Sequence, residues 1–197
     1  MWSFLRAKQP SMQEMAKPIE ARIKSIPSEF THAQSERADF FRSSESFAID
    51  QLMDITDSVF SRLLSHYEKL NTYQASQLSA MSISIVFAAI YLGKSTEVEA
   101  PIITDVYLDR YLDRIMRPPK EANAPALKAQ LLQAARDNFM SVVRAGFESD
   151  RSSAIRYVQG LDNLVGVSRS DSNIEVTAVA LRGTIAEAFR VIEQIEI

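Results

Sequence analysis

The chain has no cysteine, two histidines and five glycines among its 197 residues. Without cysteine there is no disulfide, no thiolate metal site and no cysteine nucleophile, and the absence fits a reducing compartment. His32 and His66 belong to no metal-ligand spacing with each other, so a hydrolytic triad or a histidine-held metal has almost nothing to draw on. Gly93, Gly146, Gly160, Gly166 and Gly183 stand singly, which excludes a glycine-rich phosphate loop. Charge of one sign is missing too. The 22 Lys and Arg residues and 25 Asp and Glu residues are interspersed, and without a basic patch to displace counterions nucleic acid is not an expected partner. The apolar start, Met1 to Leu5, is interrupted by Arg6 and Lys8 before it reaches the length of a signal peptide, and the expected location is cytoplasmic.

An apolar content of 46% with 24% charged residues is that of a globular chain. The length suits one domain spanning residues 1–197, with residues 1–10 as a loose N-terminal segment. No stretch alternates apolar and polar residues at a period of two, whereas steps of three and four recur throughout. The expected fold is therefore all-α, a single-domain bundle of seven or eight helices around a central apolar helix.

Local punctuation places the helices. Ser11 and Glu14 form a capping box before Met12, Met15, Ile19, Ile23 and Ile26, and Pro27 ends that pattern; Pro18 reads as a kink or a restart. A short helix over 30–42 would bury Phe40 and Phe41. From Ser44 to Leu70 the apolar face Leu52, Val59, Phe60, Leu63, Tyr67 and Leu70 predicts one helix of about seven turns. Helices follow over Tyr73 to Gly93, Pro101 to Arg117, Ala124 to Phe147 and Arg151 to Val165. The polar run Ser168 to Asn173 reads as a linker, with Ser172 and Glu175 as a second capping box for the last helix.

Five features bear on chemistry or recognition. The stretch Tyr73 to Gly93 is uncharged and flanked by Lys69 and Lys94, as a membrane span would be, but only Leu78 to Leu92 is mainly apolar. That is short of the ~20 residues a span requires, so a buried core helix is preferred over membrane association. Asp105, Asp109 and Asp113 recur every four residues along one helix edge and could hold Mg²⁺ in a helical enzyme. Ion pairing with Arg110 and Arg117 on a solvated face accounts for the same spacing, and no second aspartate-rich helix is evident; no metal or cofactor is expected. Arg62 and His66 lie one turn apart and read as a surface pair.

In the last helix Ile174, Ala178, Leu181, Ile185, Ala188, Ile192 and Ile195 follow alternating steps of four and three, the spacing of a coiled-coil seam. Intramolecular packing and a homo-oligomer or partner interface both explain it, the latter through Leu181, Ile185, Phe189 and Ile192. Trp2, Phe4 and Leu5 beside Arg6 and Lys8 could dock on a partner groove or a membrane. With triad, phosphate loop, metal cluster and basic patch all lacking, the expected function is non-enzymatic binding of another protein, as in an adaptor, a regulator or a toxin-neutralising domain.

Overall fold

The computed structural model describes residues 11–25, 47–93, 99–115 and 124–195. Among the described residues the regular elements are seven α-helices: α1 (Met12–Ser25), α2 (Phe47–Leu64), α3 (Thr72–Gly93), α4 (Glu99–Ile115), α5 (Ala124–Phe147), α6 (Ser152–Val165) and α7 (Asp171–Gln194). The helix expected over 30–42, with Phe40 and Phe41, lies outside the described residues.

Helix α3 is the centre of the bundle because its apolar residues are distributed around its whole circumference. Every residue from Met81 to Tyr91 is buried, and α3 packs against all six other described helices. By length and composition it could cross a membrane, yet two thirds of its most apolar window is covered by protein. A helix apolar on all sides is stabilised by neighbours on all sides. Ser82 and Ser84 return their hydroxyls to the backbone oxygens of Leu78 and Ala80, so they enter the core with their polar groups satisfied.

The capping box at α1 forms reciprocally: Ser11 N–H donates to Glu14 Oε2 at 2.7 Å and Glu14 N–H to Ser11 Oγ at 3.3 Å. Pro18 sits inside α1 without ending it. Two expectations need correction. Helix α2 stops at Leu64, not Leu70, so Tyr67 and Leu70 fall in the connecting turn. The stop is made by Ser65, whose hydroxyl caps Arg62 O, by Lys69 with φ of 55°, and by a second reciprocal box. In that box Asn71 N–H donates to Gln74 Oε1 and Gln74 N–H to Asn71 Oδ1, at 2.8 and 2.9 Å. The Ser172–Glu175 box does not form either: α7 already begins at Asp171, with Ser170 as its N-cap. An acidic residue in the first turn, facing the unpaired amides, favours that earlier start.

Gly166, with φ of 68°, closes α6 in a Schellman arrangement: its own N–H reaches Asn163 O and that of Val167 reaches Asp162 O. The chain then turns back into α7, whose seam is buried throughout; Ile174, Ala178, Leu181, Ile185, Ala188, Ile192 and Ile195 all face α2, α3, α5 or α6. Gly146 lets α5 and α7 approach. A Cβ there would stand 2.5 Å from Ile185 Cγ2.

Candidate functional site

The aspartate ladder is built on α4, and the structure supplies its cation from a different helix. Lys128 of α5 places Nζ 2.6 Å from Asp105 Oδ1 and 2.7 Å from Asp109 Oδ1. Asp105 and Lys128 are both largely buried, whereas Asp109 and Asp113 are exposed. Arg110 and Arg114 reach across to α2 instead, to Asp50 at 3.3 Å and Asp57 at 2.8 Å; Arg117 lies outside the described residues. Asp105 and Asp109 thus serve an interhelical clamp held by one ammonium. With Lys128 in place, millimolar Mg²⁺ should leave the melting temperature unchanged. A metal-dependent rise that disappears in Asp109→Ala would show the ion displacing the lysine.

The partner-surface residues expected on the last helix are turned largely towards the chain's own core. Leu181, Ile185 and Ile192 are buried in the chain's own core, and Phe189, also buried, borders a cleft beside α1. Their seam is consumed by intramolecular packing, with Phe189 in an edge-on contact with Phe147 at 4.9 Å. Trp2, Phe4 and Leu5 lie outside the described residues.

The turns at one end of the bundle hold a polar cluster that the spacing did not suggest. Arg169, in the segment read as a linker, inserts its side chain between α6, α7 and the α2–α3 turn. Its Nε donates to Asp162 Oδ1 at 3.0 Å, Nη1 to Thr177 Oγ1 at 2.8 Å and Nη2 to His66 O at 2.7 Å. Its guanidinium carbon stands 4.3 Å from the Tyr67 ring centroid, and Tyr67 donates its hydroxyl to the same Asp162 oxygen at 2.9 Å. Burial and the Asp162 carboxylate push the Tyr67 hydroxyl well above the usual tyrosine range, so it stays a donor. Asp162 Oδ2 is buried without a partner among the described residues. His66 is therefore not a helix-face partner of Arg62: it sits past the end of α2.

Burial, followed by the nearby Arg169 charge, holds the His66 imidazole below its ordinary pKa. A histidine depressed in the folded state binds protons more readily when unfolded, so its contribution is present above about pH 6.5 and is lost as pH falls towards the folded value. His66→Gln removes that dependence while keeping the backbone oxygen that Arg169 uses. Denaturant midpoints of the two proteins should therefore move in the variant's favour between pH 7.5 and 5.5; parallel behaviour would refute the assignment.

The feature best shaped for recognition is a cleft of about 910 Å³ between α1 and α7. Both helices rest on α3 and α5, and the space between them is floored by Leu92, Gly93 and Phe147. Met12, Met15, Pro18 and Ile19 form one wall; Ala186 and Phe189 form the other, with Arg190 and Glu193 at the polar margin. Met15 remains 43% exposed, although the three- and four-residue spacing put it on the buried stripe. Among the described residues no three His, Asp or Glu side chains gather as a metal site. The cleft's chemistry is therefore that of an apolar, deformable surface with a charged border. Compared with protein-family models, curated proteins and solved structures, the chain matches none, and its functional reading rests on its own geometry.

Proposed function

We propose that this chain is a non-enzymatic, protein-binding helical domain that takes an amphipathic helix of its partner into the cleft between α1 and α7. The observation that carries the reading is the cleft itself: two helices lie on a common floor and leave apolar side chains between them. A trough between two helical rods, each resting on the same pair of helices, is shaped for a further rod. An entering helix would present apolar residues at steps of three and four to Met12, Met15, Ile19 and Phe147, the mode by which helices fill grooves. Methionine suits such a wall because its unbranched thioether adapts to the incoming side chain. Arg190 and Glu193 supply both signs of charge at the margin, where they would set the partner's orientation more than its affinity.

The test places a photo-crosslinking residue at Ala186, which is exposed within the cleft, and maps the captured peptide. An amphipathic helical segment is expected. Met15→Glu and Ala186→Glu should abolish capture without lowering the melting temperature, because both positions are accessible to water. Val176→Glu, on an exposed part of α7 that does not line the cleft, should leave capture intact. Retention of the partner by both cleft variants overturns the proposal. If deleting residues 1–10 abolishes capture while Met15→Glu does not, the binding surface is Trp2, Phe4 and Leu5 and the cleft is excluded.

A further inference from the structure

A second cavity, lined by α3, α5 and α6, has quite different chemistry. It encloses about 470 Å³ between α5 and α6, within the usual range for small-molecule sites. Met81, Leu161 and Leu164 give it an apolar part, and Arg144, Arg156 and Tyr157 a polar one. We propose that this cavity binds a small oxyanion, a phosphate ester or a carboxylate, carried on an apolar body.

The two guanidinium groups are the first support. Among the described residues no carboxylate lies within ion-pair distance of Arg144 or Arg156, whereas Arg110, Arg114, Lys128, Arg169 and Arg190 each have one. Arg156 is positioned by neutral groups: Nη2 donates to Ser153 Oγ at 3.1 Å and Nε to Ser152 O at 3.4 Å. These contacts hold the planar fork at the surface, near enough to Asp150 to lower that carboxyl's pKa but without a direct ion pair. The nearest acidic side chains are engaged at the α5–α6 turn, where Glu148 accepts from the Ser153 hydroxyl and Asp150 from Ser152. Guanidinium forks match phosphate and carboxylate oxygens in pairs, a geometry that lysine does not offer.

Tyr157 is the second support. Its hydroxyl is buried and has no hydrogen-bond partner among the described residues, a situation rare enough to call for a missing acceptor. Burial keeps the phenol protonated, so it remains a donor. Gly160 is the third. A glycine inside a helix weakens it, and a Cβ there would meet nothing within 4 Å. The open space at Gly160 borders the cavity.

Calorimetry with phenyl phosphate, benzoate and neutral benzyl alcohol separates the contributions. Phenyl phosphate or benzoate should bind and benzyl alcohol should bind far more weakly; the stronger anion identifies the head group. Arg156→Ala should weaken binding roughly 10- to 100-fold, the loss expected for a charge-assisted pair. Tyr157→Phe should weaken it about five- to tenfold while leaving the melting temperature equal or higher. Gly160→Leu replaces glycine by a good helix former and fills the cavity, so it should abolish binding in a protein that remains folded. The proposal is overturned if neither anion binds at about 1 mM and above, if benzyl alcohol binds equally well, or if Gly160→Leu and the double variant Arg144→Ala with Arg156→Ala bind as tightly as the parent. This cavity shares no lining residue with the α1–α7 cleft, so either site can fail without the other.

Discussion

Gly146→Val is expected to destabilise the protein by about 3 kcal/mol or more, at the upper end of the cost of overpacking a core. The first added carbon already falls 2.5 Å from Ile185 Cγ2 and 3.3 Å from Ile185 Cβ. Ile185 is fully buried and β-branched, so it has little rotational freedom with which to yield. Gly146→Ala should be milder, because a propensity gain of about 1 kcal/mol from replacing a helical glycine opposes the clash. The decisive measurement is a double-mutant cycle in denaturant. Ile185→Ala alone should cost about 2 to 5 kcal/mol through the cavity it leaves, and it also removes the methyl that a Cβ on residue 146 would strike. Gly146→Ala combined with Ile185→Ala should therefore cost less than the sum by about 1 kcal/mol or more. Strict additivity would mean that α5 and α7 separate freely at this point. The stability of each variant should also be independent of protein concentration, since the seam is satisfied within one chain.

Arg169→Ala should be equally damaging, by a different route. Its loss leaves the Asp162 carboxylate buried with one oxygen already unpartnered, and deprives His66 O and Thr177 Oγ1 of their donor. Removing one member of a buried ion pair typically costs about 3 to 5 kcal/mol. For a chain of this size that corresponds to a fall in melting temperature of roughly 6 to 20 °C. Arg169→Lys should recover only part of the loss, because one ammonium cannot serve three acceptors on three elements in the geometry of the planar fork. The double replacement Arg169→Met and Asp162→Leu removes both charges and should be less harmful than Arg169→Ala. If Arg169→Ala melts within a degree of the parent, the cluster is not what joins the two turns.

The helices were legible in the sequence where the information is local. Ala124–Phe147 is recovered to the residue, α1 is announced by Ser11 and Glu14, and the α7 seam follows from its step pattern. The end of α2 was obscured because Tyr67 and Leu70 continue the apolar spacing of the helix after the helix has stopped. The Asn71–Gln74 pair, a polar capping box of the same form as Ser11–Glu14, was the available signal. Sites were much less legible. The α1–α7 cleft combines residues from four helices, and the lysine on Asp105 comes from the next helix along. Arg169 lies in a run of serines and charges whose composition reads as solvated linker, yet its side chain is 10% exposed. Composition records polarity; it does not record that three acceptors from distant elements converge on one guanidinium.

Helix α3 touches every other described helix, and this has a consequence for how the chain behaves when it is not folded. No pair or trio of helices can bury Met81 to Tyr91 on all sides, so partial assemblies leave an uncharged apolar segment in water. Intermediates of that kind associate with one another before they finish folding. Refolding yield should therefore fall steeply with chain concentration while the refolded fraction melts in a single transition. During synthesis the segment emerges long before α5 and α7, which supply much of its cover, have been made. The interval between them is the period in which this chain is most exposed to aggregation.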